Sequence, residues 1–405
     1  MARAAGPPPP PPLPLLRLLL AAVAAANAAL CIAQSWAVLG PPPPPLPPLY
    51  LQYTGFAGLN NQLGAHMRML AIATGFNITR NPGDGPVTLV TSLAYSRRNF
   101  SSLWFDEYPI DHILDMEAYS DYWRPKGINV TKAADTAACL QLPMVDRDPG
   151  VLIFGRETDR HPGMTAADLV HRVTVLNTTY AIRAAVQKAV RAQTGLLSRL
   201  AGSPGPVECV AIELGWPAFL AMDWGVYWNG PQLAKSLAFP KRVAAAADAV
   251  LAALPPPQSG AAAGFRGVHL RVEEDFRLMD LYRADKNYDP VVRYIDTMKK
   301  ANFTAATTVY FASGVFQTMN ATEHAALARR FLEGGVMGGA LNHKESLVPP
   351  ATFDGLSTEQ LALVDLLVLR RAAAVVGDMR STFAENLKYM RQGDGTAPGS
   401  FVPLV

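Results

Sequence analysis

The chain has 405 residues, enough for two domains beyond an N-terminal segment. Its 36 Lys and Arg against 33 Asp and Glu leave a formal charge of +3. No dense basic block occurs, which excludes an extended nucleic-acid interface.

Residues 18–39 carry no charge and are interrupted only by Asn27, Gln34 and Ser35. That run is long enough to span a bilayer as a helix. Arg3 and Arg17 precede it and the next basic residue is Arg68, so residues 1–17 read as a cytosolic tail of a single-pass type II protein. Ala22-Val23-Ala24 also fits a signal-peptidase site. Signal anchor and cleaved signal peptide are thus the two readings, and export follows from both. Residues 40–48 form a Pro-rich stem in which five consecutive prolines favour stiff polyproline II. Six N-x-[ST] sequons, at Asn77, Asn99, Asn129, Asn177, Asn302 and Asn320, all lie beyond the anchor. Cys139 and Cys209 are the two cysteines outside it, and they read either as one disulfide or as two buried thiols.

An N-terminal Rossmann-like domain is expected over 49–235. It opens with a strand at Leu49–Tyr53, a glycine-punctuated turn from Gly55 to Gln62 and a helix at Leu63–Thr74. A strand at Val87–Val90, loop and short helix over Trp104–Trp123, a strand at Val151–Phe154 and a helix at Ala181–Leu200 follow. A second Rossmann-like domain is expected over 236–395, joined near 225–240, with 396–405 as a tail. Its helices read as Lys241–Leu254, Pro290–Ala301, Thr322–Phe331, Leu361–Leu369 and Thr382–Arg391; its strands read as Gly267–Val272, Thr308–Ala312 and Ala372–Val376. Strands alternating with helices imply parallel, doubly wound sheets, here two α/β halves facing across a cleft.

Chemistry concentrates in His269-Leu270-Arg271-Val272-Glu273-Glu274-Asp275. Val268, Leu270 and Val272 alternate with His269, Arg271 and Glu273, so one face is apolar and the other charged. Ligands in open α/β sheets bind outside the carboxyl ends of strands, and a fixed guanidinium there suits a phosphate. Ser381-Thr382-Phe383 sits between the last strand and helix. The hydroxyls either cap that helix or help to bind an anion at its N-terminus, and Phe383 either stacks on a base or fills core. Asp146-Arg147-Asp148 is a DxD triplet beside Pro149-Gly150 and reads as a surface turn, not a metal site.

These residues together resemble the protein O-fucosyltransferase superfamily, particularly its plant-type O-fucosyltransferase-like group, over residues 49–392. The resemblance is carried in order by Gly58-Leu59-Asn60-Asn61-Gln62, by His269, Arg271, Glu273 and Asp275, and by Tyr310-Phe311-Ala312-Ser313-Gly314. Lys344-Glu345, Asp365 and Ser381-Thr382-Phe383 complete it. Arg380 and the Ser-Thr-Phe element depart from the plant-type pattern, which leaves donor identity open.

The resemblance implies a GT-B-like fold and an inverting, metal-independent glycosyltransferase with no cofactor, moving fucose from GDP-fucose to a protein or glycan hydroxyl. It implies an endoplasmic reticulum or Golgi membrane protein with a lumenal catalytic domain. Arg271 would bind the β-phosphate, Asn61 would reach it from the opposite domain, and Gly58 of the glycine loop would help to form the donor site. Asp365 would accept hydrogen bonds from guanine, and Ser381, Thr382 and Phe383 would hold phosphate and base. His269 is either a ligand contact or a structural histidine. Glu273, Asp275 and Glu157 are the candidates for the base; beside Arg271, Glu273 and Asp275 can equally serve to orient it. The alternatives are another donor such as UDP-rhamnose, or a non-catalytic lumenal relative that binds glycan or protein.

Overall fold

The computed structural model describes residues 45–53, 58–91, 93–98, 105–143, 179, 182–193, 207–213, 230–256, 264–273, 289–397 and 399–404. The anchor segment, most of the stem, Gly55–Ala57, Asn99, Asp146–Asp148, the Val151–Phe154 strand, Glu157, Asn177 and Asp275 lie outside the described residues. No helix among the described residues is long and apolar enough to cross a membrane.

Strand β1 (Leu49–Gln52) alternates buried Leu49 and Leu51 with half-buried Tyr50 and Gln52. Helix α1 (Leu59–Ile78) follows. It begins four residues earlier than the sequence suggests, so Asn60, Asn61 and Gln62 form its first turn instead of a loop. Gly58 stands ahead of it in an extended conformation. Then come β2 (Val87–Val90), β3 (Leu93–Arg97), β4 (Phe105–Pro109), α2 (Met116–Trp123), β5 (Ile128–Thr131) and β6 (Leu140–Pro143). Helix α3 (182–193), β7 (Val210–Glu213), α4 (Gly230–Lys235) and α5 (Lys241–Ala252) complete the first half.

The second half comprises β8 (Arg266–His269), α6 (Pro290–Lys300), β9 (Val309–Ala312), α7 (Ala321–Glu333), α8 (Lys344–Leu347), α9 (Thr358–Arg370), β10 (Val375–Gly377), α10 (Thr382–Gly393) and β11 (Phe401–Pro403).

Two parallel sheets result. The first has the order β5-β2-β1-β7-β6 and the second β11-β10-β8-β9, while β3 and β4 form a separate antiparallel hairpin. β4 falls in the stretch read as loop and short helix, Trp104–Trp123, whose helix is α2, and β3 lies in a stretch for which the sequence suggested no element. β11 falls in the segment read as a tail and instead closes one edge of the second sheet.

One apolar core runs from the first sheet and α1 through α9 and α10 to the near face of the second sheet, through residues such as Leu51, Leu63, Leu366 and Leu387. A separate core covers the far face of that sheet and includes Val268, Leu270, Val272, Phe311 and Val376. The expected alternation therefore continues past the end of β8, with Val268, Leu270 and Val272 turned into this core. Close packing favours glycine at two positions of the second sheet. A Cβ on Gly267 would come within 2.4 Å of Leu369 on α9, and one on Gly377 within 3.0 Å of the Phe401 ring. The described residues from Leu46 onward form one compact unit by their contacts.

Candidate functional site

Strands β8, β9 and β10 end level with one another, because His269 pairs with both Ala312 and Gly377. Their carboxyl ends open into a cavity of about 260 Å³. Gly58 and Asn61 line it from the first half; His269 lines it at the end of β8, and Arg271 and Glu273 just beyond; Asp365 lines it from α9, and Ser381, Thr382 and Phe383 from the start of α10. The fold thus brings together every candidate residue that falls within the described segments.

Arg271 lies in the turn after β8. Its backbone N–H donates to the Tyr294 hydroxyl at 3.0 Å, and that hydroxyl donates to the His269 carbonyl at 2.7 Å. Its guanidinium pairs with Glu273 at 2.9 Å, both side chains being partly exposed. The other carboxylate oxygen of Glu273 accepts from the Ser313 hydroxyl at 3.2 Å and the Gly314 N–H at 3.0 Å. Glu273 is therefore a brace between β8 and β9 that points Arg271 into the cavity.

His269 is buried, and its ring stacks on Phe383 with centroids 4.2 Å apart. Burial, reinforced by the Arg271 charge, pushes its pKa down to about 3, so the imidazole is neutral. Its Nδ1 is buried without a hydrogen-bond partner. Phe383 belongs to the core, so it fills core and supports His269 at once.

Ser381 precedes α10 in an extended conformation, and its side chain makes no capping hydrogen bond. Gly58 leaves the N-terminus of α1 without a side-chain cap of its own as well. The N-termini of α1 and α10 both line the cavity, the Leu59 N–H of α1 being met by the Glu359 carboxylate. Arg380 makes a bidentate ion pair with Asp378 just before this helix. That accounts for a residue the family resemblance left unplaced.

Asp365 is buried, with one oxygen 2.5 Å from the Tyr310 hydroxyl and the other 2.7 Å from Lys344 Nζ. Lys344 also reaches Glu345 at 2.9 Å, and Glu345 meets His343 at 3.0 Å. Burial pushes the Asp365 carboxyl up to about 6, Lys344 only partly opposing it. Burial would also raise Glu345, but His343 and Lys344 more than offset it and hold Glu345 at about 2. Lys344, despite burial, is held above the usual lysine range by the two carboxylates. The Lys344-Glu345 motif is thus the support on which Asp365 rests.

Two polar residues of the cavity wall were not legible in the sequence. Glu359, in the first turn of α9, is fully buried. It accepts from the Leu59 N–H at 2.6 Å and from Arg97 Nε at 2.9 Å. Arg97 comes from β3 and lines the cavity too. Asn386 on α10 donates to the Asn60 carbonyl at 2.7 Å, tying the two helices together beside the site. Elsewhere, Cys139 and Cys209 form a disulfide, with Cα atoms 4.7 Å apart, which resolves the two readings of those cysteines.

No protein-family model and no curated protein sequence matches the chain. Among solved structures, POFUT1 in complex with GDP-fucose is similar, with a TM-score of 0.51 and 14% identity over 88% of this chain and 97% of that one. POFUT1 in complex with GDP is similar with a TM-score of 0.50 and 14% identity, over 89% of this chain and 99% of that one. At such identity the likeness is one of fold. The chain shares the GT-B-like α/β fold of POFUT1.

Proposed function

We propose that this protein is a glycosyltransferase that takes its sugar from GDP-fucose and passes it, with inversion and without a metal, to a hydroxyl of a protein or glycan in the secretory pathway. The observation that carries the reading is Arg271, braced by Glu273 on the wall of a cavity onto which two helix N-termini open. The similar structures hold GDP-fucose and GDP, which makes a guanosine diphosphate the donor part to test first.

The chemistry follows from charge. As the bond between sugar and diphosphate breaks, negative charge grows on the β-phosphate while the sugar becomes cationic. A guanidinium fixed at the leaving oxygen stabilises that charge without reorganising. Helix N-termini add partial positive charge to the same volume. Asp365 offers a carboxylate to the N1–H and amino group of guanine. Each carboxylate on the described cavity wall is held by two or more donors: Glu273 by Arg271, Ser313 and Gly314; Glu359 by Leu59 and Arg97; Asp365 by Tyr310 and Lys344. Glu273, held between Arg271 and the start of the turn after β9, is assigned to orienting Arg271. Export is supported by the disulfide and by Asn129, Asn302 and Asn320, three sequon asparagines exposed on the surface.

The test is transfer, or slow hydrolysis, of GDP-fucose by wild type and Arg271→Ala. Loss of an oxyanion-type donor typically costs about 100- to 1000-fold in kcat. Equal rates in the two proteins would overturn the mechanism. Tighter calorimetric binding of UDP than GDP would overturn the donor assignment, and abolition of transfer by excess EDTA would overturn metal independence.

A further inference from the structure

The cavity has a second guanidinium. Arg97 stands at the end of β3 in the first half of the chain, while Arg271 stands beyond β8 in the second, and both line the same cavity of about 260 Å³. Their settings match. Arg271 pairs with Glu273 at 2.9 Å, and Glu273 also accepts a backbone N–H from Gly314. Arg97 pairs with Glu359 at 2.9 Å, and Glu359 also accepts a backbone N–H from Leu59. Each arginine is thus aimed by a carboxylate that is itself anchored to main chain.

The Arg97 pair differs in one respect. Glu359 is fully buried and belongs to the second half, so the contact spans 262 residues and crosses the site. It bonds through Nε, and Nη2 of the guanidinium lies near Gly58. A Cβ placed on Gly58 would lie 3.7 Å from Arg97 Nη2. The tip therefore lies beside Gly58, and Arg97, Gly58, Asn60 and Asn61 line the cavity together. A nucleoside diphosphate bound without a metal carries at least two negative charges, and a single guanidinium neutralises only one of them.

We propose that Arg97 is a second diphosphate-binding residue, contacting the donor from the side opposite Arg271, and that Glu359 is its positioning residue. This rests on the reading of the cavity as a nucleoside-diphosphate site. Donor binding then draws on one arginine from each half of the chain. Glu359 sets Arg97 and the start of α1 together, since one carboxylate holds both.

The experiment measures binding of GDP and of guanosine by ligand-observed NMR to the full chain and to R97A, R97K, E359Q and R271A. A charge-assisted hydrogen bond to phosphate is worth about 10- to 100-fold in affinity. R97A is expected to lose that much for GDP while binding guanosine as wild type does. R97K keeps a cation for Glu359, so it folds even if R97A does not; it should lose several-fold for GDP alone. E359Q should weaken GDP by less than R97A. Wild-type or undiminished GDP binding by both R97A and R97K, alongside a loss in R271A, would overturn this proposal and leave the general reading standing. Equal losses for GDP and guanosine in the Arg97 variants would also overturn it, by showing a purely structural role. No GDP binding by wild type, or none lost in R271A, would instead overturn the reading on which it rests.

Discussion

At the level of single residues, the site is governed by how many donors each carboxylate has. Asp365 and Glu345 share Lys344, and the one with the additional imidazole partner ionises first. Burial leaves Asp365 with a pKa of about 6, raised from the ordinary 3.8. The folded state therefore prefers the protonated acid, and the stabilisation this gives is full below about pH 4 and lost as pH rises through about 6. Binding has the opposite sign. A guanine that donates two hydrogen bonds needs the carboxylate, so GDP should bind best above pH 6 and more weakly as pH falls below it. Asp365→Asn should remove this component, leaving only the ionisation of GDP itself, and calorimetry of the two proteins between pH 5 and 8 isolates the difference. An identical pH profile in D365N would dissociate Asp365 from the base. The same scale explains what the sequence could and could not reveal. Arg271 was legible because its neighbours alternate with period two and because the turn follows a strand end. Glu359 and Arg97 were not, because their partnership joins positions 262 residues apart and neither belongs to a local pattern.

At the level of elements, the errors fall where local signals are weakest. Helix α9 starts at Thr358, three residues ahead of the expected start, and the reason is visible in Ser357-Thr358-Glu359-Gln360. This is a capping box: Ser357 accepts from the Gln360 N–H, and Gln360 reaches back to the Ser357 N–H. Apolar periodicity marks only where a helix is buried, whereas the cap marks where it begins. The three-residue β11 is too short for any period, and its terminal Pro403 argues against a strand until its place at a sheet edge is known. The hairpin of β3 and β4 carries polar and charged residues on partly exposed strands, which hides it among loops. The cap matters to the site because Glu359 lies within it. Ser357→Ala should destabilise the protein by about 0.5–2 kcal/mol, seen as a lower urea midpoint at unchanged slope. The Ser357 hydroxyl also lies 2.7 Å from His112 Nε2 in the first half, so the loss should fall in the upper part of that range. A change below about 0.5 kcal/mol would show that α9 is held by its packing alone.

At the level of the whole molecule, the site and the disulfide occupy different parts of the framework. The cavity collects strand ends from the second sheet and the start of α1, whereas Cys139 and Cys209 lie just before β6 and β7, on the far side of β1 from β2. Among the described residues β6 is an edge strand paired to β7 alone, so covalent attachment fixes an element that ladder hydrogen bonds hold on one side there. The bridge closes a loop of 70 residues, for which chain-entropy arguments give about 4 kcal/mol of stabilisation. That is a large share of the ~5–15 kcal/mol typical of a folded domain. The doubly substituted C139S/C209S protein should accordingly lose about 4 kcal/mol in urea unfolding. None of the cavity-lining residues belongs to β6, so GDP affinity well below the unfolding transition should change by less than about twofold, a free-energy difference of roughly 0.4 kcal/mol. A tenfold loss of affinity with the fold intact by circular dichroism would refute this separation. It would mean that the edge of the first sheet transmits strain through β1 to the Gly58 turn.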